Sequence, residues 1–512
     1  MGGRLGLKEK IKIIAVEKKN YVVAIDIGTS EVVVAVGTLA EGGLVNIETI
    51  VTEPCEGMLA GLVDNNQMVS ESLRRARVRA EQEAGIAITD AYVSISGKFV
   101  RCARYTDHVF VDAKDACISQ LDVNALSERM RSVKSADGEV IMDHYPITYK
   151  GTSGVEMKNP VGCYSPQLSS TYNFILCEHA AKDRLFRVFM SAGIKIRHLY
   201  AGAAVVGESV VNSDEKEEGV AVVDIGSGVT DVAVYHGGVL RYIASIPMGG
   251  SVVNSDIRVY AGTIPAKMVE KLKRRYGSAM VDMTPDERIE LHSGNRIIKP
   301  IQRLNLASVI EARMAEIAEF VWAEIRESGY AKKLAAGIIL TGGGSELSHV
   351  ADLFQRVTGV EVRVACAEMG ITSDSLEAVS FPSRTLAVSL LLRGAKVGAC
   401  PVGVLQAATP AKKESEEEIV TPPPTKVVTP NVTEGGSTIV VTDEVKTQTT
   451  SAGGNTTPSK IDDDDWDSEY GEEIVDDEGG KSGSRGLWDK VSSWLDNAFK
   501  PSADTIDEDD PL

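Results

Sequence analysis

Two short stretches of this 512-residue chain carry residues whose types and spacing could hold a phosphate. The first is Asp26-Ile27-Gly28-Thr29-Ser30 and the second is Asp224-Ile225-Gly226-Ser227-Gly228, with Thr230 close behind. Glycine lets a backbone turn tightly and bring its N–H groups near a ligand, hydroxyls add donors, and an aspartate at the strand end offers a carboxylate for a metal. A lone Gly-x-Gly turn usually does nothing more than connect two strands. Two Asp-Ile-Gly-Ser/Thr turns far apart in one chain instead imply a duplicated domain with a nucleotide between its halves.

The flanking residues say which elements present these turns. Val220 to Val223 form a continuous apolar run and Val232 to Val234 repeat it after the turn, the pattern of strands buried on both faces. Tyr21 to Val36 has the same strand, turn, strand layout. A third glycine cluster, Thr341-Gly342-Gly343-Gly344-Ser345, follows the apolar run Ala336 to Leu340 and suits close backbone approach to a flat ligand such as adenine. Glu270 and Lys273 lie three apart on a helical stretch and share a face, as a surface ion pair or as a clamp on a ribose.

Further elements follow from periodicity. Gln67 to Gly85 predicts a helix stopped by Gly85, with Arg74, Arg75, Arg77 and Arg79 as a solvated face. Tyr92 to Ile95 is a short strand. Between Ser96 and Thr171 the texture changes to a small α/β insertion, with a helix at 121–133 and strands at 140–149 and 170–177. A helix and strand span Lys182 to Leu199, and Ala201-Gly202-Ala203-Ala204 offers close packing or a hinge. Ser251 is a candidate cap for a helix through Asp256. Leu306, Ile310, Met314, Ile317, Val321 and Ile325 form a core stripe, with Glu311, Glu316, Glu319 and Glu324 on the opposite, solvated side. Leu386 to Leu392 is the last apolar helix, and the folded part is expected to end near Cys400.

Composition bounds the class. An apolar content of 43% is ordinary for a globular protein, and a net charge of −19 argues against a general nucleic-acid binder. Seven scattered cysteines without a C-x-x-C pair fit reduced, mostly buried thiols and imply no metal site. No signal peptide and no run of about 18 apolar residues is visible, and the opening Met-Gly-Gly lacks the Ser or Thr that a myristoylation site wants.

Several stretches are similar to a known family. The order of the Asp26 turn, the Asp224 turn and Gly342-Gly343-Gly344 resembles the two phosphate loops and the adenosine loop of the actin, heat-shock chaperone and sugar kinase superfamily. Tyr92 to Lys98 (YVSISGK), Lys158 to Gly162 (KNPVG), Val253 to Ile257 (VNSDI) and Ala335 to Gly343 closely resemble the bacterial division protein FtsA. The resemblance covers roughly the first four hundred residues.

That resemblance implies an α/β, actin-like (ribonuclease H-like) duplicated fold. Its parts would be an extension at 1–20, a first domain at 21–95, 172–204 and 380–400, an FtsA-specific insertion at 96–171 used in self-association, and a second domain at 205–379. ATP and Mg²⁺ are the implied cofactors. Gly28, Thr29, Ser30, Gly226, Ser227, Gly228 and Thr230 would contact phosphates, Asp26 and Asp224 would hold Mg²⁺ through water, Glu270 and Lys273 would meet the ribose, and Gly342, Gly343 and Gly344 the adenine. The implied partners are other copies of the chain, the C-terminal peptide of the tubulin-like FtsZ through the smaller subdomain at 265–330, other division proteins and membrane lipid. Ser227 departs from the family, where glycine is usual. No residue announces itself as the base that activates water. Asp231 is the candidate, and the chain is at most a weak ATPase.

The remaining quarter has its own logic. Residues 401–484 form an acidic linker, rich in Thr, Pro, Gly and Ser over 412–484 and too poor in aromatics to fold. About seventy such residues reach roughly 50 Å as a flexible coil. At 485–500, Leu487, Trp488, Val491, Trp494, Leu495, Ala498 and Phe499 fall on one helical face, and two tryptophans suit a lipid interface. Residues 501–512 end in Asp504, Asp507, Glu508, Asp509 and Asp510, which anionic lipid would repel. The expectation is a peripheral protein on the cytoplasmic face of the membrane at the division site. The alternatives are a pilus-assembly-type ATPase or a sugar or acetate kinase.

Overall fold

The computed structural model describes residues 19–404, apart from positions 263, 294 and 295. The chain divides into two units, 1–406 and 407–512, and every described residue lies in the first.

The first half is built on three antiparallel strands, β1 (Tyr21–Ile27), β2 (Glu31–Leu39) and β3 (Val45–Pro54), followed by a small hairpin of β4 (Met58–Leu59) and β5 (Leu62–Val63). Helix α1 (Asn66–Ala84) starts where the Asn65 side chain accepts the N–H groups of Gln67 and Met68 at 3.1 Å, and ends at Gly85 in the left-handed region. It buries Val69, Leu73, Ala76 and Ala80, one helical face. Strand β6 (Ile86–Ile88) leads to β7 (Asp90–Ile95), which runs parallel to β1. The four arginines of α1 are less idle than expected. Arg74 and Arg77 donate to the carbonyls of Ser191 and Ala192 at 2.8 and 2.9 Å.

An inserted body follows: β8 (Val100–Phe110), α2 (Gln120–Arg131), β9 (Glu139–Lys150), β10 (Glu156–Met157) and β11 (Gln167–Glu178), in the sheet order β10-β9-β11-β8. It has its own core, including Leu126, Met130, Leu168 and Phe174. The strand expected at 170–177 is part of β11, whereas β8 was not anticipated. β8 is an edge strand paired only with β11, so most of its side chains face water and the period-2 alternation that marks a half-buried strand is lost.

The chain returns through α3 (His179–Ser191) and β12 (Lys195–Ala201), which pairs in parallel with β7, then through two short helices, α4 (Gly202–Val205) and α5 (Ser213–Glu218). The second half repeats the first. Strands β13 (Val220–Ile225), β14 (Thr230–His236) and β15 (Val239–Ile246) are antiparallel, as β1 to β3 are. Helices α6 (Gly250–Ala261) and α7 (Ala266–Tyr276), a hairpin of β16 (Arg288–Ser293) and β17 (Arg296–Gln302), and α8 (Arg303–Glu327) intervene before β18 (Ile338–Thr341) joins β13 in parallel. After α9 (Val350–Thr358), β19 (Val362–Val364) pairs with β18. The sheet orders β12-β7-β1-β2-β3 and β19-β18-β13-β14-β15 are thus the same topology twice. Finally α10 (Thr385–Val397) packs back on β1, and β20 (Val402–Val404) pairs with β6.

Helix α8 corrects one expectation. Glu324 is buried, not solvated, and accepts a hydrogen bond from the Tyr242 hydroxyl at 2.6 Å. All seven cysteines are unpaired; Cys55, Cys177 and Cys400 are buried and the other four are half-buried. Among the described residues no helix is long and apolar enough to cross a membrane.

The tightest seam between α10 and the first sheet is at Gly394, where an added Cβ would stand 2.3 Å from the ring of Tyr92. Gly394→Ala is therefore expected to destabilise the fold by about 1–2 kcal/mol, overpacking outweighing the gain in helix propensity. Equilibrium urea unfolding monitored by circular dichroism measures it.

Candidate nucleotide site

Both glycine turns are closed by the same bond. Gly28 N–H donates to the Glu31 carbonyl and Gly226 N–H to the Val229 carbonyl, each at 2.9 Å. The two turns meet. A Cβ on Gly228 would stand 2.5 Å from Thr29 Oγ1, so glycine at 228 is required by the approach of the opposite half. The N-terminus of α6 closes the second turn from behind: Gly250 and Ser251 N–H donate to the carbonyls of Gly226 and Ser227 at 2.9 and 2.8 Å. Ser251 thus lies inside the first turn of α6 and Gly249 is the cap residue, a correction to the sequence reading. Ser227 is half-buried.

Thr230 is also corrected. It is fully buried and its hydroxyl donates to the Met248 carbonyl at 2.9 Å, so it braces β14 against the end of β15 instead of facing a phosphate.

Three carboxylates gather behind the turns. Asp26 is the next-to-last residue of β1, Asp224 that of β13, and Asp231 stands opposite Asp224 in the β13–β14 register. Asp26 accepts from Ser94 Oγ at 2.7 Å, and Asp231 accepts from Ser245 Oγ. Burial raises all three above the usual carboxylate range, and the negative charges of Asp231 and Asp26 push Asp224 further up. Such a set lacks positive charge, which a divalent cation would supply. Among the described residues no three His, Cys, Asp or Glu side chains come together closely enough to share a directly bound metal, so the donor set fits a hydrated ion held through water.

The Asp231 carboxyl is pushed up to about 6 from an ordinary 3.8. Its charge costs the fold nothing below the ordinary value, and the cost builds between 3.8 and about 6 and is full above that. Asp231→Asn, which keeps an acceptor for Ser245, is expected to stabilise the nucleotide-free protein by about 1–3 kcal/mol at pH 8 and by much less at pH 4. Urea unfolding at the two pH values checks the difference.

Glu270 and Lys273 form an ion pair at 2.8 Å beside this site. Lys273 Nζ also donates to the Gly250 carbonyl at 3.0 Å, and Asn254 Nδ2 donates to Glu270 at 2.5 Å. Burial holds the Lys273 ammonium below its usual range. For Glu270, burial works upward, but Lys273 and Asn254 outweigh it and the carboxyl lies low. The pair is therefore more than a surface contact.

The third glycine cluster packs on the end of β13. A Cβ on Gly342, whose φ is 80°, would stand 2.1 Å from Asp224 Oδ1, and one on Gly344 would stand 2.3 Å from the Ile225 side chain. Gly343 differs: only Ser383 at 3.6 Å lies near its Cβ position, so this is the glycine with room beside it. The turn is strapped down by Pro382, whose carbonyl accepts Gly342 N–H at 3.1 Å and Thr341 Oγ1 at 3.3 Å. Across the cleft, Glu31 of the first half lies within the fields of Arg274, Glu270 and Glu346 of the second.

The structure thus brings Asp26, Gly28, Thr29, Ser30, Asp224, Gly226, Ser227, Gly228 and Asp231 to one place, with Glu270, Lys273 and Gly342 to Gly344 on its flanks. Sequence reading assigned no role to Ser94 and Asn254, although both lie in family-like stretches, and missed Ser245 and Pro382, single residues with no local pattern. The residues named for membrane contact, Leu487, Trp488, Val491, Trp494, Leu495 and Phe499, lie outside the described residues.

Known proteins are similar to this chain. A family model described as cell division protein FtsA matches residues 221–389. Cell division protein FtsA of Escherichia coli (strain K12) is 34% identical over 385 residues, which cover 73% of this chain and 90% of that protein. The chain belongs to the FtsA family. FtsA of Bacillus subtilis (strain 168) is 30% identical over 345 residues, 67% of this chain and 78% of that one. Among solved structures, a chain of the PilM-PilN type IV pilus biogenesis complex superposes with a TM-score of 0.51 at 15% identity, over 73% of this chain and 98% of that chain, a likeness of fold alone. The FtsA membership assigns the chain an actin-like fold and a role in cell division.

Proposed function

We propose that this protein binds ATP between its two halves, self-assembles, and ties the FtsZ ring to the cytoplasmic membrane. The observation that carries the nucleotide site is the meeting of Thr29 with Gly228, which sets two glycine turns and their aspartates against one another. Backbone N–H groups and hydroxyls of Gly28, Thr29 and Ser30 on one side, and of Gly226, Ser227 and Gly228 on the other, would hold the phosphates. Mg²⁺, held through water by Asp26 and Asp224, would neutralise phosphate charge and relieve the mutual repulsion of the buried carboxylates. Glu270 and Lys273 would meet the ribose and the Gly342–Gly344 turn the adenine. Asp231 would accept a proton from water only weakly, since the Ser245 hydroxyl donates to one of its oxygens, and a low hydrolysis rate is the expectation.

The inserted body is the proposed self-association surface. Phe110, Leu121 and Tyr164 are 75–77% exposed there, large side chains with apolar surface to offer a second copy. The 265–330 region is the proposed seat of the FtsZ C-terminal peptide. Half-burying five large apolar side chains of the 487–499 segment in lipid contributes about 1 kcal/mol each, a weak anchor that many linked copies would make firm.

Co-sedimentation of the full chain with anionic liposomes, ATP and Mg²⁺ tests the reading. The intact protein is expected to pellet, the Trp488→Glu/Trp494→Glu variant to stay in solution, and Asp224→Ala to pellet less. Equal pelleting of all three, or of none, would sink the coupling of nucleotide to anchoring.

A further inference from the structure

The hairpin of β4 and β5 has no part in the site described so far, yet its tip reaches into it. The pairs Met58 with Val63 and Leu59 with Leu62 leave a two-residue turn, Ala60-Gly61. Both take positive φ, 45° and 80°, the combination of a type I′ turn, whose first position favours Asn, Asp or Gly. Alanine there is strained, and strain of this kind persists only where the surroundings over-determine it.

The surroundings are the two halves of the cleft. A Cβ on Gly61 would stand 2.0 Å from the Ser96 carbonyl and 3.1 Å from Val229 in the second glycine turn. Gly61 N–H donates to Thr29 Oγ1 at 3.3 Å, a long bond that orients the hydroxyl more than it locks it. The base of the hairpin is fixed, since the Gly57 carbonyl accepts both Asp64 and Asn65 N–H at 2.9 Å.

A hydroxyl has one proton and two acceptor positions. With one acceptor position taken by Gly61, and with no protein acceptor for its proton among the described residues, Thr29 has that proton left for a ligand at the meeting of the two turns, where its side chain packs against Gly228. We propose that the Ala60-Gly61 tip is a positioning element of the phosphate site: Gly61 N–H turns the Thr29 hydroxyl so that it donates to a phosphate oxygen. The strained alanine is tolerated because it places that N–H. The inference rests on the nucleotide reading above and adds to it a group that contacts no nucleotide itself.

The test is a double-mutant cycle on the full chain, read by binding of a fluorescent ATP analogue with Mg²⁺ and by thermal unfolding. Thr29→Val removes the hydroxyl at constant shape, and Ala60→Pro forbids positive φ and withdraws the tip. Each is expected to weaken binding about tenfold, and the double variant to be within about twofold of the weaker single one, because both remove the same interaction. Thr29→Ser is expected to recover most of the loss. Wild-type affinity in Ala60→Pro, or losses that multiply in the double variant, would overturn the positioning role. If Ala60→Pro shows no cooperative unfolding, hydrogen exchange of the Gly61 amide in the wild type decides: it is expected to slow at least about fivefold with nucleotide, and an unchanged rate in protein that binds the analogue would overturn the inference. Failure of the wild type to bind the analogue at all overturns the nucleotide reading, and this inference with it.

Discussion

Three carboxylates that repel one another meet near the ends of the central strands, Asp224 and Asp231 buried and Asp26 half-buried, and the rest of the molecule is arranged around that fact. A buried anion is costly unless something compensates it. Here hydroxyls supply part of the compensation: Ser94 for Asp26 and Ser245 for Asp231. Asp224 is the least provided for, and the glycine at 342 lets the backbone come close beside it. On the proposed nucleotide reading, an incoming cation would complete a charge balance that the protein leaves open.

The duplicated architecture explains why the carboxylates face each other. Each half places an aspartate near the end of its first strand and turns at once through a glycine, and each half adds a parallel strand on the far side. When the halves oppose their turns, the aspartates oppose too. Residues that do not repeat between the halves, such as the Glu270–Lys273 pair and the 342–344 turn, sit on only one side of the cleft and make the site asymmetric.

Much of this was legible in the sequence because the signals are local. Apolar strands flanking Asp-Ile-Gly turns have an unmistakable pattern, and the Leu306 to Ile325 stripe gave its helix. What escaped were features set by distant partners. Glu324 reads as solvated by residue type, yet it lies three after Val321 and seven after Ile317, on the face of the core stripe, and the Tyr242 hydroxyl makes its burial tolerable. Thr230 looked like a phosphate donor until Met248 claimed its hydroxyl. Ser251 resembles a cap by residue type, yet the cap is Gly249, two residues earlier, where the carbonyls of Gly226 and Ser227 receive the first N–H groups of the helix. β8 lacked alternation because an edge strand of a small sheet has little interior to face.

The last described strand has a mechanical meaning. β20 pairs antiparallel with β6 over Val402 to Val404, and α10 immediately before it lies on β1, the strand that carries Asp26. Tension on the chain beyond Val404 is resisted first by three residues of ladder, which can peel one bond at a time. Behind them stands a helix wedged against the floor of the cleft. A pull on the downstream chain therefore runs, by way of two short elements, to the strand that bears one of the three carboxylates.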